Sequence, residues 1–405
     1  MRFLFVLSVV ALVASFSFSE SVRGDTLERF TRRNRFLVEE DDGIGEQEEE
    51  PLLASAQMLT PYRGAGPFDI SREYKEWSFG NHTSRGVIYK PVSRNDNGVV
   101  TRMDDGSKFP AIVFGHGLCA KPEFYEHMNV LLSSWGYVVL ATEEFSDCDV
   151  SNFAPGGEQV NTTAYTEELE RNVLYLASGA VGGVNASAIA LAGHSMGGGA
   201  SINAAVSLED RIPGLVKAVV AVAPWNGVEP NPSTRIPDLG SDVPVFLICS
   251  TQDSLVPCSG PITTEVVIGS FRMPFASLIP AIHGRHHGVD WNGGVLAMYE
   301  NATSSGGDSP AVILAVVKDA NHLTIVDTDG RAGGTKLAEE AFSRYLEFPK
   351  VDLERGAVLP TIEYSVAFLE WVMRGDAVAR DLLWGEGIQS DARFRQPVLR
   401  SSGED

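Results

Sequence analysis

Short apolar runs alternate with helix-periodic segments through most of this chain. Ala111-Ile112-Val113-Phe114, Tyr137 to Thr142, Ala188 to Ala192, Leu215 to Ala223, Val243 to Cys249 and Ala311 to Val317 are too short for helices and end at turn residues, so they read as strands. Their continuous apolar character predicts burial on both faces, as in a parallel sheet covered on each side. Between them, Pro122 to Ser134 carries Phe124, Met128, Val130, Leu131 and Leu132 ahead of Gly136, and Ala164 to Ser178 carries Leu169, Val173, Leu174 and Leu176; both predict helices. Upstream, Glu73 to Phe79 and Arg85 to Pro91 flank the turn residues Gly80-Asn81 and predict a hairpin. The repeated strand, helix, strand order predicts an open α/β sheet with its active site at the carboxyl ends of the strands.

One junction in this pattern carries chemistry. Gly193-His194-Ser195-Met196-Gly197 lies between an apolar strand and a small-residue helix start, matching the nucleophile elbow G-x-S-x-G. Only glycine at the flanking positions lets strand and helix approach closely enough to hold the serine in a strained turn. Acyl transfer also needs two backbone amides aimed at a developing oxyanion. One comes from the residue after the nucleophile, Met196, and the other from the loop Gly115-His116-Gly117-Leu118 after an earlier strand, where Leu118 is assigned.

A serine hydroxyl needs a histidine to take its proton and an acid to orient that histidine, in the chain order Ser, acid, His. Of eight histidines, His283, His286, His287 and His322 follow the elbow. His322 follows directly on the strand Ala311 to Val317, whereas the other three lie in a glycine-rich stretch with no clear strand before it, so His322 is the candidate. For the acid, Asp253 ends the strand Val243 to Cys249; Asp238 and Asp242 precede that strand, and Asp290 and Asp319 are weaker alternatives. His283-x-x-His286-His287 could suggest metal ligation, but no carboxylate or cysteine is spaced to complete a ligand set, so no metal and no cofactor is expected.

Composition adds compartment and exclusions. With 405 residues and 44% hydrophobic content the chain can hold one large α/β domain. Met1-Arg2 followed by an apolar run to Phe18 predicts a signal peptide over 1–20, a retained anchor being the alternative; the expectation is a secreted or secretory-pathway protein with no stable membrane insertion after cleavage. Residues 21–56 hold Glu39-Glu40-Asp41-Asp42 and Glu48-Glu49-Glu50 and are expected to be a disordered acidic segment, with Arg32-Arg33-Asn34-Arg35 a candidate processing site. The catalytic domain is then 57–386, and 387–405 a C-terminal tail. A net charge of −21 excludes a nucleic-acid partner, and a monomer is expected. Four N-x-S/T sequons, at Asn81, Asn161, Asn185 and Asn301, fall at predicted loops or strand edges, as expected of a secreted glycoprotein. Four cysteines allow three pairings in an oxidising compartment; Cys119 with Cys148 and Cys249 with Cys258 is the expected one, the second bracing the loop that carries Asp253.

Several of these segments together resemble the poly(ethylene terephthalate) hydrolases and cutinase-like esterases of the α/β-hydrolase superfamily. They are Gly193 to Gly199, Phe114 to Leu118, Ser133-Ser134-Trp135-Gly136-Tyr137-Val138-Val139, Ala223-Pro224-Trp225 and Gln252 to Pro257, with Gly66-Pro67-Phe68 and Val366 to Trp371 adding to the match. The likeness runs from about Pro61 to Gly385, and the same segments are similar, less closely, to chlorophyllases and platelet-activating-factor acetylhydrolases.

The resemblance implies an α/β-hydrolase fold: a mostly parallel twisted sheet of about eight strands with helices on both faces. It implies Ser195 as nucleophile, Asp253 and His322 as its partners, Leu118 and Met196 as the oxyanion hole, and Trp225 beside the acyl group, with His194 also counted as substrate-binding. The activity implied is that of a serine carboxylic-ester hydrolase, working through an acyl-enzyme on a small-molecule, lipid-like or polymeric ester. Chlorophyllase and phospholipid acetyl esterase are alternatives, and a non-catalytic binding protein on a hydrolase scaffold is the alternative of another class. Two features depart from the polyesterases: Leu118 stands where they usually carry an aromatic residue, and the stretch from Ile262 to Ser309 is much longer, long enough to cover the site.

Overall fold

A computed structural model of the chain describes residues 60–94, 100–101, 108–118, 120–145, 161–253, 255–259, 265–268, 271–274, 294–304, 309–326 and 358–401. The strands are β1 (Asp69–Phe79), β2 (His82–Arg94), β3 (Val100–Thr101), β4 (Phe109–Gly115), β5 (Val138–Thr142), β6 (Val184–His194), β7 (Val216–Val222), β8 (Val245–Ser250), β9 (Glu265–Ile268), β10 (Phe271–Pro274), β11 (Val312–Val317) and β12 (Leu399–Ser401). The helices are α1 (Glu126–Ser134), α2 (Thr162–Ala177), α3 (Met196–Arg211), α4 (Gly294–Ser304), α5 (Val358–Arg374), α6 (Ala377–Trp384) and α7 (Glu386–Ser390).

Ten of the described strands form one sheet in the order β1-β2-β5-β4-β6-β7-β8-β11-β12, with β3 paired to β2. The β1–β2 hairpin turns at Gly80, whose φ of 60° suits glycine, and pairs Phe79 with His82. β2 lies antiparallel to β5, and from β5 to β11 every neighbouring pair is parallel. The two strands β9 and β10 pair only with each other. The count exceeds the eight expected because two short strands, β3 and β12, extend the sheet beyond the long apolar runs.

The continuous apolar strands divide their side chains between two cores, because successive residues of a strand point to opposite faces. Ala111, Val113, Ile189, Leu191, Val219, Ala221, Val245 and Leu247 face α2, α3 and α4, whose Leu169, Val173, Leu176, Ile202, Val206, Val295 and Met298 complete that core. Ile112, Phe114, Ala190, Ala192, Val220, Phe246 and Ile248 face α1, α5 and α6, with Met128, Leu131, Leu132, Val366, Phe368, Leu369 and Leu383. Each fully buried Val, Leu or Ile contributes about 1.5–3 kcal/mol, so the central strands are the most costly to disturb.

Three expectations need correction. Residues 387–401 are no loose tail: β12 pairs antiparallel with β11, and Ile388, Phe394 and Val398 are buried. The segment is too short to show periodicity, and its apolar residues find their partners only in the folded sheet. Asn301 lies within α4 rather than in a loop, and its Nδ2 donates to Ser233 Oγ at 2.7 Å. α2 starts at Thr162, two residues before the apolar pattern suggested, because the Asn161 side chain caps it by accepting from the Ala164 amide at 2.9 Å. Cys249 and Cys258 are joined with Cα atoms 5.5 Å apart, whereas the Cys119–Cys148 pairing falls outside the described residues. So do 1–59, with the apolar N-terminus, the acidic segment and the basic run, and so do His283, His286, His287 and Asp290.

Candidate active site

The site is built at the carboxyl ends of four parallel strands. β6 runs to His194, and the chain turns at Ser195 into α3. Ser195 has φ 55° and ψ −120°, a conformation that side chains other than glycine rarely adopt. The surroundings hold it there. Its amide donates to Val222 O at 2.9 Å, and its carbonyl accepts from the Trp225 amide at 3.0 Å, so the turn is pinned to the loop after β7. A methyl group at Gly193 or Gly197 would run into the backbone of Gly197 or Gly115 respectively, which is why both flanks of the serine are glycine.

β8 and β11 are parallel neighbours, so the loops that follow them lie side by side. Thr251 N donates to Val317 O at 2.9 Å, Gln252 N to Ala320 O at 3.0 Å, and Asp319 N to Thr251 Oγ1 at 3.1 Å. This stitching brings Asp253 beneath His322. Asp253 Oδ2 is 2.8 Å from His322 Nδ1, and its other oxygen accepts from the Leu255 and Val256 amides at 3.0 and 2.7 Å. With Nδ1 donating to the carboxylate, Nε2 is left as acceptor, and it stands 3.0 Å from Ser195 Oγ. Asp253 and His322 are 5% and 7% exposed, so this hydrogen-bonded series is shielded from water except at the serine.

The other acids weighed from sequence are elsewhere: Asp238 pairs with Arg235 at 3.0 Å, Asp242 accepts from Ser241 Oγ, and Asp319 occupies a turn at φ 52°.

Facing the serine is the loop after β4. Tyr165 Oη donates to His116 O at 3.0 Å, and the Gly117 amide donates to Tyr125 Oη at 3.0 Å. The Leu118 amide is the next along this loop. Met196 opens α3, so its amide is among those at the helix start without an intrahelical acceptor, where the helix dipole favours negative charge. Gly117 abuts the elbow: a Cβ there would lie 3.4 Å from Ser195 Cβ. The arrangement can activate a hydroxyl for attack on a carbonyl and receive the oxyanion that forms.

Two further residues differ in their placement. Trp225 is partly buried, beside the elbow. His194 is 2% exposed, so its ring offers substrate no surface; it packs 4.6 Å from the His322 ring, and burial first, then the neighbouring His322, holds its pKa well below the usual range. The substrate-binding expectation for His194 is corrected accordingly, for a side chain at the end of a central strand points into the core.

Tyr125 and Tyr165, which anchor the loop after β4, were invisible to sequence reasoning. Each sits among helix-periodic residues where an aromatic reads as core, and only the buried hydroxyl's need for a partner marks them.

The chlorophyllase family model matches residues 89–247, from within β2 to the middle of β8, a span that includes the elbow and ends before Asp253 and His322. Cutinase est1 of Thermobifida alba is 26% identical over 240 residues, covering 56% of this chain and 67% of that protein. Sheet order, elbow and both comparisons agree: the chain has the α/β-hydrolase fold and is similar to the chlorophyllases and to a cutinase.

Proposed function

We propose that the chain is a serine carboxylic-ester hydrolase of cutinase-like or polyesterase-like type. The observation that carries the reading is the buried series Asp253, His322, Ser195, with contacts of 2.8 and 3.0 Å. His322 Nε2 takes the Ser195 proton as Oγ attacks the ester carbonyl carbon. The carbonyl electron pair moves to oxygen, which the Leu118 and Met196 amides receive. Collapse of the tetrahedral intermediate expels the alcohol, protonated by His322, and leaves an acyl-serine. Water, deprotonated by the same imidazole, then releases the acid and restores Ser195. Asp253 keeps its hydrogen bond to Nδ1 and stabilises the imidazolium in both halves. Trp225, next to the elbow, flanks the acyl group, and no step calls for a metal or cofactor.

A second substrate class, the chlorophyll ester, is favoured by the chlorophyllase match over residues 89–247. The apolar N-terminus supports a secreted or secretory-pathway protein, and among the described residues no helix is long and apolar enough to cross a membrane.

Labelling with a fluorophosphonate probe tests the reaction class: wild type is expected to label at Ser195 and Ser195→Ala not at all. Absence of labelling on the wild-type protein would point to a binding protein instead. A panel of p-nitrophenyl esters of rising acyl length, set beside chlorophyll a and a polyester film, ranks the substrate classes.

A further inference from the structure

A buried polar contact behind the site links its two halves. β4 and β6 pair in parallel as far as Gly115 with Gly193, and there the ladder ends. Beyond that point the loop of Gly117 and Leu118 and the turn of His194, Ser195 and Met196 are no longer held to each other by strand hydrogen bonds, the turn being pinned on its other side to β7 and the loop after it. Yet two amides, one on each side, must stand at a defined separation to receive one oxygen atom. The first side-chain link past the ladder is Tyr125. Its Oη accepts from the Gly117 amide at 3.0 Å and lies 2.9 Å from His194 Nδ1. Gly117 immediately precedes Leu118, and His194 immediately precedes Ser195.

We infer that Tyr125 is a positioning residue, its hydroxyl tying the oxyanion loop to the nucleophile elbow and so setting the distance between the Leu118 and Met196 amides. The inference rests on the esterase reading above. Three observations make the link specific. Tyr125 is 1% exposed and held by Phe114, 5.1 Å away between ring centroids, so its hydroxyl has one place to go. A Cβ on Gly117 would meet Tyr125 Oη at 3.0 Å and His194 Nδ1 at 3.2 Å, so the glycine's missing side chain is what lets these groups converge. The proton placement along the link is also defined, with the His194 ring proton left on Nε2. The Gly117 N–H can only donate, which leaves the tyrosine proton for His194 Nδ1. Burial favours that arrangement, pushing the Tyr125 pKa up and the His194 pKa down, so that one keeps its proton and the other stays neutral. His194, though it touches no substrate, thereby becomes the acceptor that orients the tyrosine.

Tyr125→Phe removes the link and keeps the ring. Measured with p-nitrophenyl butyrate, kcat is expected to fall about tenfold to a hundredfold with KM little changed, since loosening the oxyanion donors weakens the transition state more than the ground state. The affinity for a trifluoromethyl ketone, which forms an oxyanion on the serine, should fall by the same factor. A variant with native melting temperature and with kcat and ketone affinity within about twofold of wild type would overturn the inference.

If Tyr125→Phe does not fold, the other end of the contact decides. His194→Asn places an acceptor oxygen near the Nδ1 position and should recover part of the kcat and ketone affinity lost in His194→Leu; equal losses in the two would overturn the inference. Wild-type protein that neither hydrolyses the ester nor binds the ketone would overturn the esterase reading, and the inference with it. An active wild type with an indifferent Tyr125→Phe would overturn the inference alone.

Discussion

His322 Nε2 stands 3.0 Å from Ser195 Oγ although 127 residues separate them along the chain. The contact depends on β11 lying in the same parallel sheet as β6, with β7 and β8 between them and both strands' carboxyl ends on one side. The serine side chain makes no capping bond to α3, so its hydroxyl is not otherwise engaged there. Ser195→Ala should therefore lower kcat by about four to six orders of magnitude while the melting temperature changes little. Single-turnover kinetics with an activated ester, set beside thermal unfolding, checks both halves of the expectation.

Asp253→Asn is expected to reduce kcat about ten-thousandfold with the fold intact. The carboxylate receives the Leu255 and Val256 amides on one oxygen and His322 on the other. An asparagine that keeps the two backbone contacts turns its NH2 toward Nδ1. That forces the imidazole proton onto Nε2, the atom that must accept from serine. A variant losing less than about tenfold would assign the acid role elsewhere.

His194 makes stability depend on pH. Its folded pKa lies well below the usual value, by burial first and then the neighbouring His322, whereas in the unfolded chain it titrates near 6.5. Below about pH 6.5 the unfolded state therefore binds a proton that the folded state refuses, and stability falls as pH falls, by up to about 1.4 kcal/mol per unit, until the folded pKa is reached. Above that window the contribution is constant. Urea unfolding at pH 7.5 and pH 5.0 should show a smaller loss for His194→Asn than for wild type.

Glycine at 197 is a matter of volume. A methyl group there would collide with the Gly115 and His116 carbonyls, whereas at Gly182 it would meet nothing within 4 Å. Gly197→Ala is expected to cost about 3 kcal/mol or more, or to abolish soluble expression, and Gly182→Ala to lie within about 0.5 kcal/mol of wild type. Chemical denaturation of the two variants distinguishes local crowding from a general intolerance of the elbow region.

Cys249 closes a short loop with Cys258, and Asp253 lies inside it. Replacing both by serine should lower stability by about 2–3 kcal/mol. Because the loop also stitches to that of His322, kcat is expected to fall in the double variant at temperatures below its melting point. Unchanged kcat would confine the bridge to a role in stability.

The sequence by itself determined the strands, the elbow and the chemistry available. Ala111 to Phe114, Ala188 to Ala192 and Val243 to Cys249 read as two-faced strands because burial on both sides demands unbroken apolar runs, and Gly193 to Gly197 read as an elbow because its flanks admit only glycine. Local pattern also put Asp253 and His322 at strand ends, and which histidine and which acid meet the serine was inferred from that placement and from chain order. Only the tertiary structure decided that Ile388, Phe394 and Val398 are part of the core, that His194 points inward, and that Tyr125 and Tyr165 hold the loop of Leu118. The physical reason is range. Periodicity and turn chemistry act over a few residues and are written in neighbours, whereas a hydroxyl's partner or a short segment's burial depends on groups tens to hundreds of residues away, brought close by strand order that no local pattern encodes.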